Sequence, residues 1–266
     1  MLVQQIRNAT VKIVYQNKSI LIDPWLAPQY ALGSIAQMVP NVFKLQDKMK
    51  ANIPIPMPIA PLPMSVEDIL RDVDAIIITH IHPDHVDMMP NGHIGECLPH
   101  DLPVFVQNDE DASILRQNNF NDVRVLSAQG TDFEGITITK TPCRHGTIEP
   151  CGQASGFCLE ASQEPKFMAC GDTVWYPQLQ EALRKHNPEV VLLNACAAEL
   201  EGFGRLIMND EDVACVAATL PEAHLIISHM DTVAHASISR YEMRGLLTKR
   251  QIANFVIPED GESLSF

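Results

Sequence analysis

The 266-residue chain is expected to fold as α/β (α+β), with two mixed sheets face to face and helices outside, a four-layer αββα sandwich. Three observations predict this. Short continuous apolar runs such as Ala75-Ile76-Ile77-Ile78 read as strands buried on both faces. The first half is rich in such runs, and the second half alternates them with helix-like segments. At 46% hydrophobic and 20% charged, the composition is that of a globular chain and excludes a disordered, collagenous or coiled-coil one. A single domain over 1–266 accommodates the pattern, with no repeat or low-complexity tract.

The elements follow in order. Val11–Tyr15 and Ser19–Ile22 flank the polar turn Gln16-Asn17-Lys18 and form a hairpin, ended by Asp23-Pro24-Trp25. Residues 26–64 are an insertion carrying Pro28, Pro40, Pro54, Pro56, Pro58, Pro61 and Pro63. Its Ile-Pro-Ile-Pro-Met-Pro-Ile run cannot be helical or join a central ladder. Such a stretch is expected either to wall a site or to form a stiff surface loop. Ser65 caps a short helix over Val66–Arg71. Strands are expected at Asp74–Thr79, Val104–Val106, Val123–Leu126, Ile136–Thr141, Gly156–Glu160, Phe167–Ala169, Val190–Leu193 and Leu225–Ile227. Helices are expected at Asp111–Asn118, Pro177–His186, Asp210–Leu220 and Ser239–Lys249.

The chemistry gathers where strands end. Thr79-His80-Ile81-His82-Pro83-Asp84-His85 places three His and one Asp within six residues, directly after a buried strand. In an extended chain His80 and His82 point to one side, and the turn at Pro83 lets Asp84 and His85 face the same point from another direction. Imidazole nitrogen and carboxylate oxygen are donors for borderline and hard cations, so one loop can serve two adjacent ions. A single His at a strand end would read as a hydrogen-bonded turn residue; this density points to metal.

The motif resembles the H-x-H-x-D-H signature of the metallo-β-lactamase superfamily. That resemblance demands, in order, a later His, an Asp and a last His, each after a strand. His145 follows Ile136–Thr141, Asp172 follows Phe167–Ala169, and His229 follows Leu225–Ile227. By resemblance, His80, His82 and His145 are expected to ligate a first metal. Asp84, His85 and His229 are expected on a second, with Asp172 bridging. The implied cofactors are two divalent ions, Zn or Mn. Two close divalent ions would lower the pKa of a shared water, and Asp84 could orient that water or pass its proton on. Asp84 and Asp172 are therefore the expected catalytic carboxylates. Arg144, next to a ligand, could meet an anionic group, or pair with a structural carboxylate. His235, six residues after His229, could support the site or contact substrate, or sit on the surface as a helix cap.

Ile20-Leu21-Ile22-Asp23-Pro24-Trp25, Thr141-Pro142-Cys143-Arg144-His145-Gly146 and Ser228-His229-Met230-Asp231-Thr232 together resemble bacterial cytoplasmic hydrolases similar to L-ascorbate-6-phosphate lactonase. This implies an ester-bond hydrolase acting on a small lactone or ester, sugar-derived and anionic in that group. A phosphodiesterase of the same fold is the alternative, and a non-hydrolytic metal or redox protein is a further one. A net charge of −14 argues against a nucleic-acid partner, as does the shortage of basic patches. The remaining expectations are a small-molecule substrate, no membrane segment, possible homo-oligomers, and a cytoplasmic location. The location rests on seven scattered Cys without a C-x-x-C pair and on Met1 to Ala9 lacking a secretory pattern.

Overall fold

The computed structural model describes residues 1–34, 55–89, 92–145 and 151–266. The central part of the expected insertion, 35–54, lies outside the described residues, as does Gly146.

The first sheet is built from β1 (Leu2–Arg7), β2 (Thr10–Tyr15) and β3 (Lys18–Ile22). A two-stranded flap of β4 (Gly33–Ser34) and β5 (Pro56–Met57) follows, then helix α1 (Val66–Leu70) and strand β6 (Ala75–Ile78). Strand β7 (Pro103–Val106), helix α2 (Asp109–Gln117) and strand β8 (Asp122–Val125) complete this half. The second sheet holds β9 (Thr131–Phe133), β10 (Ile136–Pro142), β11 (Ser155–Glu160) and β12 (Phe167–Ala169). Helix α3 (Pro177–His186) leads to β13 (Val190–Asn194). A small hairpin, β14 (Glu199–Leu200) and β15 (Gly204–Arg205), precedes α4 (Asp210–Thr219) and β16 (His224–Ser228). Helix α5 (Arg240–Lys249), β17 (Phe255–Val256) and β18 (Ser263–Ser265) end the chain.

Each large sheet has seven strands, in the orders β18-β1-β2-β3-β6-β7-β8 and β17-β16-β13-β12-β11-β10-β9. Strand alternation produces the layers. In β6, Ala75 and Ile77 enter the inter-sheet core with Ile20 and Ile22 of β3, facing Val190 and Leu192 of β13. The alternate residues Ile76 and Ile78 pack outward with Leu115 of α2. Val191 and Leu193 pack outward against Leu179, Val213 and Met243 of the other helices. A strand covered on both faces must be apolar at every position, which is why these runs lack polar alternation. The αββα sandwich read from the sequence is the observed fold.

Boundaries differ in instructive places. Strand β1 occupies the stretch read only for targeting signals; Gln4, Gln5 and Arg7 break its apolar pattern, and pairing to β2 and β18 stabilises it. Helix α2 starts two residues before the expected Asp111, because Asn108 caps it by accepting from the Asp111 N–H. Ser239 is the cap of α5, reciprocated by Glu242 in a capping box. The described part of the proline-rich stretch does contain strand, but only the two-residue pairing of β4 with β5. It is seated by the Ile59 N–H donating to Thr232 O, beside the loop that carries His229.

Strands β3, β6, β7 and β8 run parallel, as do β12, β13, β16 and β17. The carboxyl ends of β6, β12 and β16 therefore open on one edge of the sandwich, where open α/β sheets place their sites.

Candidate metal centre

The carboxyl end of β6 delivers His80, His82, Asp84 and His85. His145 follows β10, Asp172 follows β12 and His229 follows β16. All are buried except His82, which is partly exposed. Their ligand atoms form three groups, each within 4.8 Å: His80, His82 and His145; His80, His85 and Asp172; Asp84, His85 and His229. His80 Nε2 lies 2.9 Å from His82 Nδ1, and the His145 ring centroid is 5.1 Å from both of theirs. His85 Nε2 lies 3.2 Å from Asp172 Oδ2 and 3.2 Å from His229 Nε2, which is itself 3.4 Å from Asp84 Oδ2.

Local backbone explains the convergence. Gly171 has φ of +66°, and a Cβ there would meet the Ser155 carbonyl at 2.7 Å, so only glycine lets the chain turn Asp172 inward. His229 also takes a left-handed φ of +67°, a costly conformation for a non-glycine residue that the surrounding packing must hold.

Four residues that support this centre escaped the sequence reading. Asp23, read only as a strand end, accepts from the Thr79 N–H at 2.7 Å and its hydroxyl at 2.8 Å, and pairs with His85 Nδ1 at 2.9 Å. Asn194, in an apolar strand, donates to Asp172 Oδ1 at 2.7 Å. Asn8 donates to Asp84 O at 3.0 Å. Buried Arg7 donates to the carbonyls of Trp25, Ala27 and Ala60, tying both ends of the insertion to β1. A carboxylate at the end of an apolar strand was the available signal for Asp23; the others carry none in sequence.

His235 is buried, its Nε2 3.3 Å from Asp84 Oδ2, which removes the surface reading. Arg144 is exposed. Its guanidinium stands 6.0 Å from the Tyr176 ring centroid, and it lines a cavity of about 500 Å³ with His145 and Lys140. Arg240 pairs with Asp231 and Asp260, a structural role. All seven Cys are free thiols; Cys143 donates to Asp172 O at 2.7 Å.

The electrostatics suit cations. Burial holds His80 and His145 below the usual imidazole range and His82 at about 4, so their lone pairs are available at neutral pH. For Asp84, burial favours the neutral acid, but hydrogen bonds with His229 and His235 outweigh it and keep it ionised. Asp172 is likewise held ionised against burial by His229 and His85. Burial opposes charge on His85, yet Asp172 and Asp23 raise it to about 10. His229 is raised too, against burial, by Asp172. Nε2 of His85 and Nε2 of His229 stand 3.2 Å apart, with the Asp84 and Asp172 carboxylates beside them; a cation taking the place of the ring protons would be met by both nitrogens and both carboxylates. The donor set therefore fits metal.

The family model for the β-lactamase superfamily domain matches residues 18–230. The protein YddR of Bacillus subtilis is 35% identical over 269 residues, covering 99% of each chain. A crystal structure of a possible metal-dependent hydrolase from Veillonella parvula is 35% identical, with a TM-score of 0.88, covering 100% of this chain and 99% of its own. An isothiocyanate hydrolase from Delia radicum gut bacteria is 32% identical, with a TM-score of 0.87 and the same coverage. The chain belongs to the β-lactamase superfamily, among the metal-dependent hydrolases that share the metallo-β-lactamase fold.

Proposed function

We propose that this protein is a dinuclear metal-dependent hydrolase acting on a small molecule with an electrophilic carbon, of the lactone or ester class. The observation that carries this reading is the overlap of the three ligand groups. His80 and His85 each belong to two groups, and the group containing Asp172 links the other two. That pattern suits two adjacent cations, Zn or Mn, rather than one. Bound there, two divalent ions would supply Lewis acidity and lower the pKa of a water toward neutrality, so no Ser or Cys nucleophile would be required.

The chain's own groups do the rest. His80, His82 and His145 present neutral nitrogens on one side; Asp84, His85 and His229 form the other, with Asp172 between them. Asp84 stays ionised and buried, with His235 against its Oδ2, so it can hold a water by its proton and hand that proton to a leaving oxygen. Arg144 and Lys140, in the cavity beside His145, suit a negatively charged leaving group.

A second reading rests on the full-length likeness to the isothiocyanate hydrolase. Water added to the central carbon of R–N=C=S yields R–NH2 and COS, an attack on an uncharged sp carbon that the same groups could serve.

A screen of metal-reconstituted protein against lactones, esters, thioesters, phosphodiesters and isothiocyanates tests both readings. Hydrolysis of a lactone or ester, abolished by chelation and restored by Zn or Mn, supports the first. Turnover confined to isothiocyanates supports the second. Turnover confined to phosphodiesters, or full activity in metal-free protein, refutes both.

A further inference from the structure

Two cavities flank the first histidine group, and they differ in chemistry. On the His145 side lies the basic one described above. On the His82 side lies another, of about 670 Å³, which is within the range of small-molecule sites. Gln107 borders both and donates to Asp111 at 2.9 Å and to the Gln153 carbonyl at 2.7 Å, which fixes the partition between them.

One side of the His82-side cavity is apolar, formed by Ile81, Met88, Ile94, Ile114 and Cys151; Gln107, Asn108 and Gln153 add uncharged polar groups on the other. Ile81, Met88 and Ile114 are only partly buried, although they pack on the outer core of the first sheet. Among the described residues, the charged groups in this wall are Glu110 and Asp111, both acidic. An anionic substituent would meet repulsion there and an apolar one would remove hydrocarbon from water.

We infer that the substrate's non-reacting arm is uncharged and apolar and lies in this cavity, against Ile81, Met88 and Ile114, while its reacting end sits at the histidines. This rests on the metal-centre reading and narrows its substrate class: an alkyl or aryl arm matches the Ile81, Met88 and Ile114 side of the wall, and a phosphorylated arm is repelled by Glu110 and Asp111.

The test is binding, not turnover. A series of n-alkyl hydroxamates, from acetohydroxamate to octanohydroxamate, is titrated calorimetrically into Zn-loaded protein, since the hydroxamate head chelates metal and the tail reports the cavity. Affinity is expected to rise with each methylene, up to about fourfold per group. A tail ending in carboxylate is expected to lose that gain. Ile114→Asp flattens the dependence on tail length, with metal content measured alongside to show an intact centre; Ile114→Ala, a milder change, reduces it. If acetohydroxamate binds but lengthening the tail changes nothing, or the carboxylate tail binds as well as the alkyl one, the inference is wrong and the metal centre stands. If no hydroxamate binds, the metal-centre reading fails and the inference falls with it.

Discussion

Asp23 pairs with Nδ1 of His85 at 2.9 Å, while Nε2 of the same ring faces Asp172 and His229. The carboxylate thereby fixes the ring's orientation and leaves Nε2 as the nitrogen directed into the metal centre. Replacing it with Asn keeps the size but removes the charge. Asp23→Asn is expected to weaken binding of one metal by about 10- to 100-fold, measured by metal titration against a competing chelator. Unchanged affinity would show that the ring is held by packing alone.

Asp172 belongs to the group that links the other two, so its loss affects both. Asp172→Ala is expected to lose one or both metals and to drop activity by at least about a hundredfold. Metal analysis with circular dichroism separates this from unfolding. Two retained metals with wild-type turnover would contradict the assignment.

Metal uptake should release protons. In the metal-free protein His85 is raised to about 10, so at neutral pH it carries a proton that a cation must displace. At least one proton is expected per pair of ions bound at pH 7. Because His85 is protonated below its raised pKa, apparent metal affinity climbs as pH rises toward about 10. Calorimetry in buffers of different ionisation enthalpy counts the protons; a buffer-independent heat would refute the assignment.

Ser239 caps α5 and is not among the candidate ligands, and the Glu242 carboxylate answers back to its N–H. Ser239→Ala is expected to lower stability by about 1 kcal/mol while leaving metal content unchanged. Thermal unfolding of the metal-loaded protein reads the difference.

Much of this protein was legible along the chain. Runs such as Ala75–Ile78 announce doubly covered strands, because every side chain there must enter a core. The clustering of candidate donors was partly legible: three His and one Asp within six residues stand directly after an apolar run, and the later His145, Asp172 and His229 were expected from the family resemblance; the structure brings these side chains together. Strand β1 was not legible, because Gln4, Gln5 and Arg7 interrupt its apolar pattern, and one of its two partners, β18, lies more than 250 residues away. Asn194 was equally silent, since its role lies only in what its side-chain nitrogen faces, and Asp23 gave no more than a carboxylate at a strand end.

The sequence by itself determined the αββα sandwich and the His and Asp that follow its apolar strands, since hydrophobic patterning and residue type are properties of the chain. Only the tertiary structure decided which candidate donors lie together, that His235 lies on Asp84, and that a cavity with an apolar side and acidic residues adjoins His82 while a basic one adjoins His145. These depend on distances between strands far apart in sequence, and hydrogen bonds and ion coordination weaken steeply beyond a few ångströms.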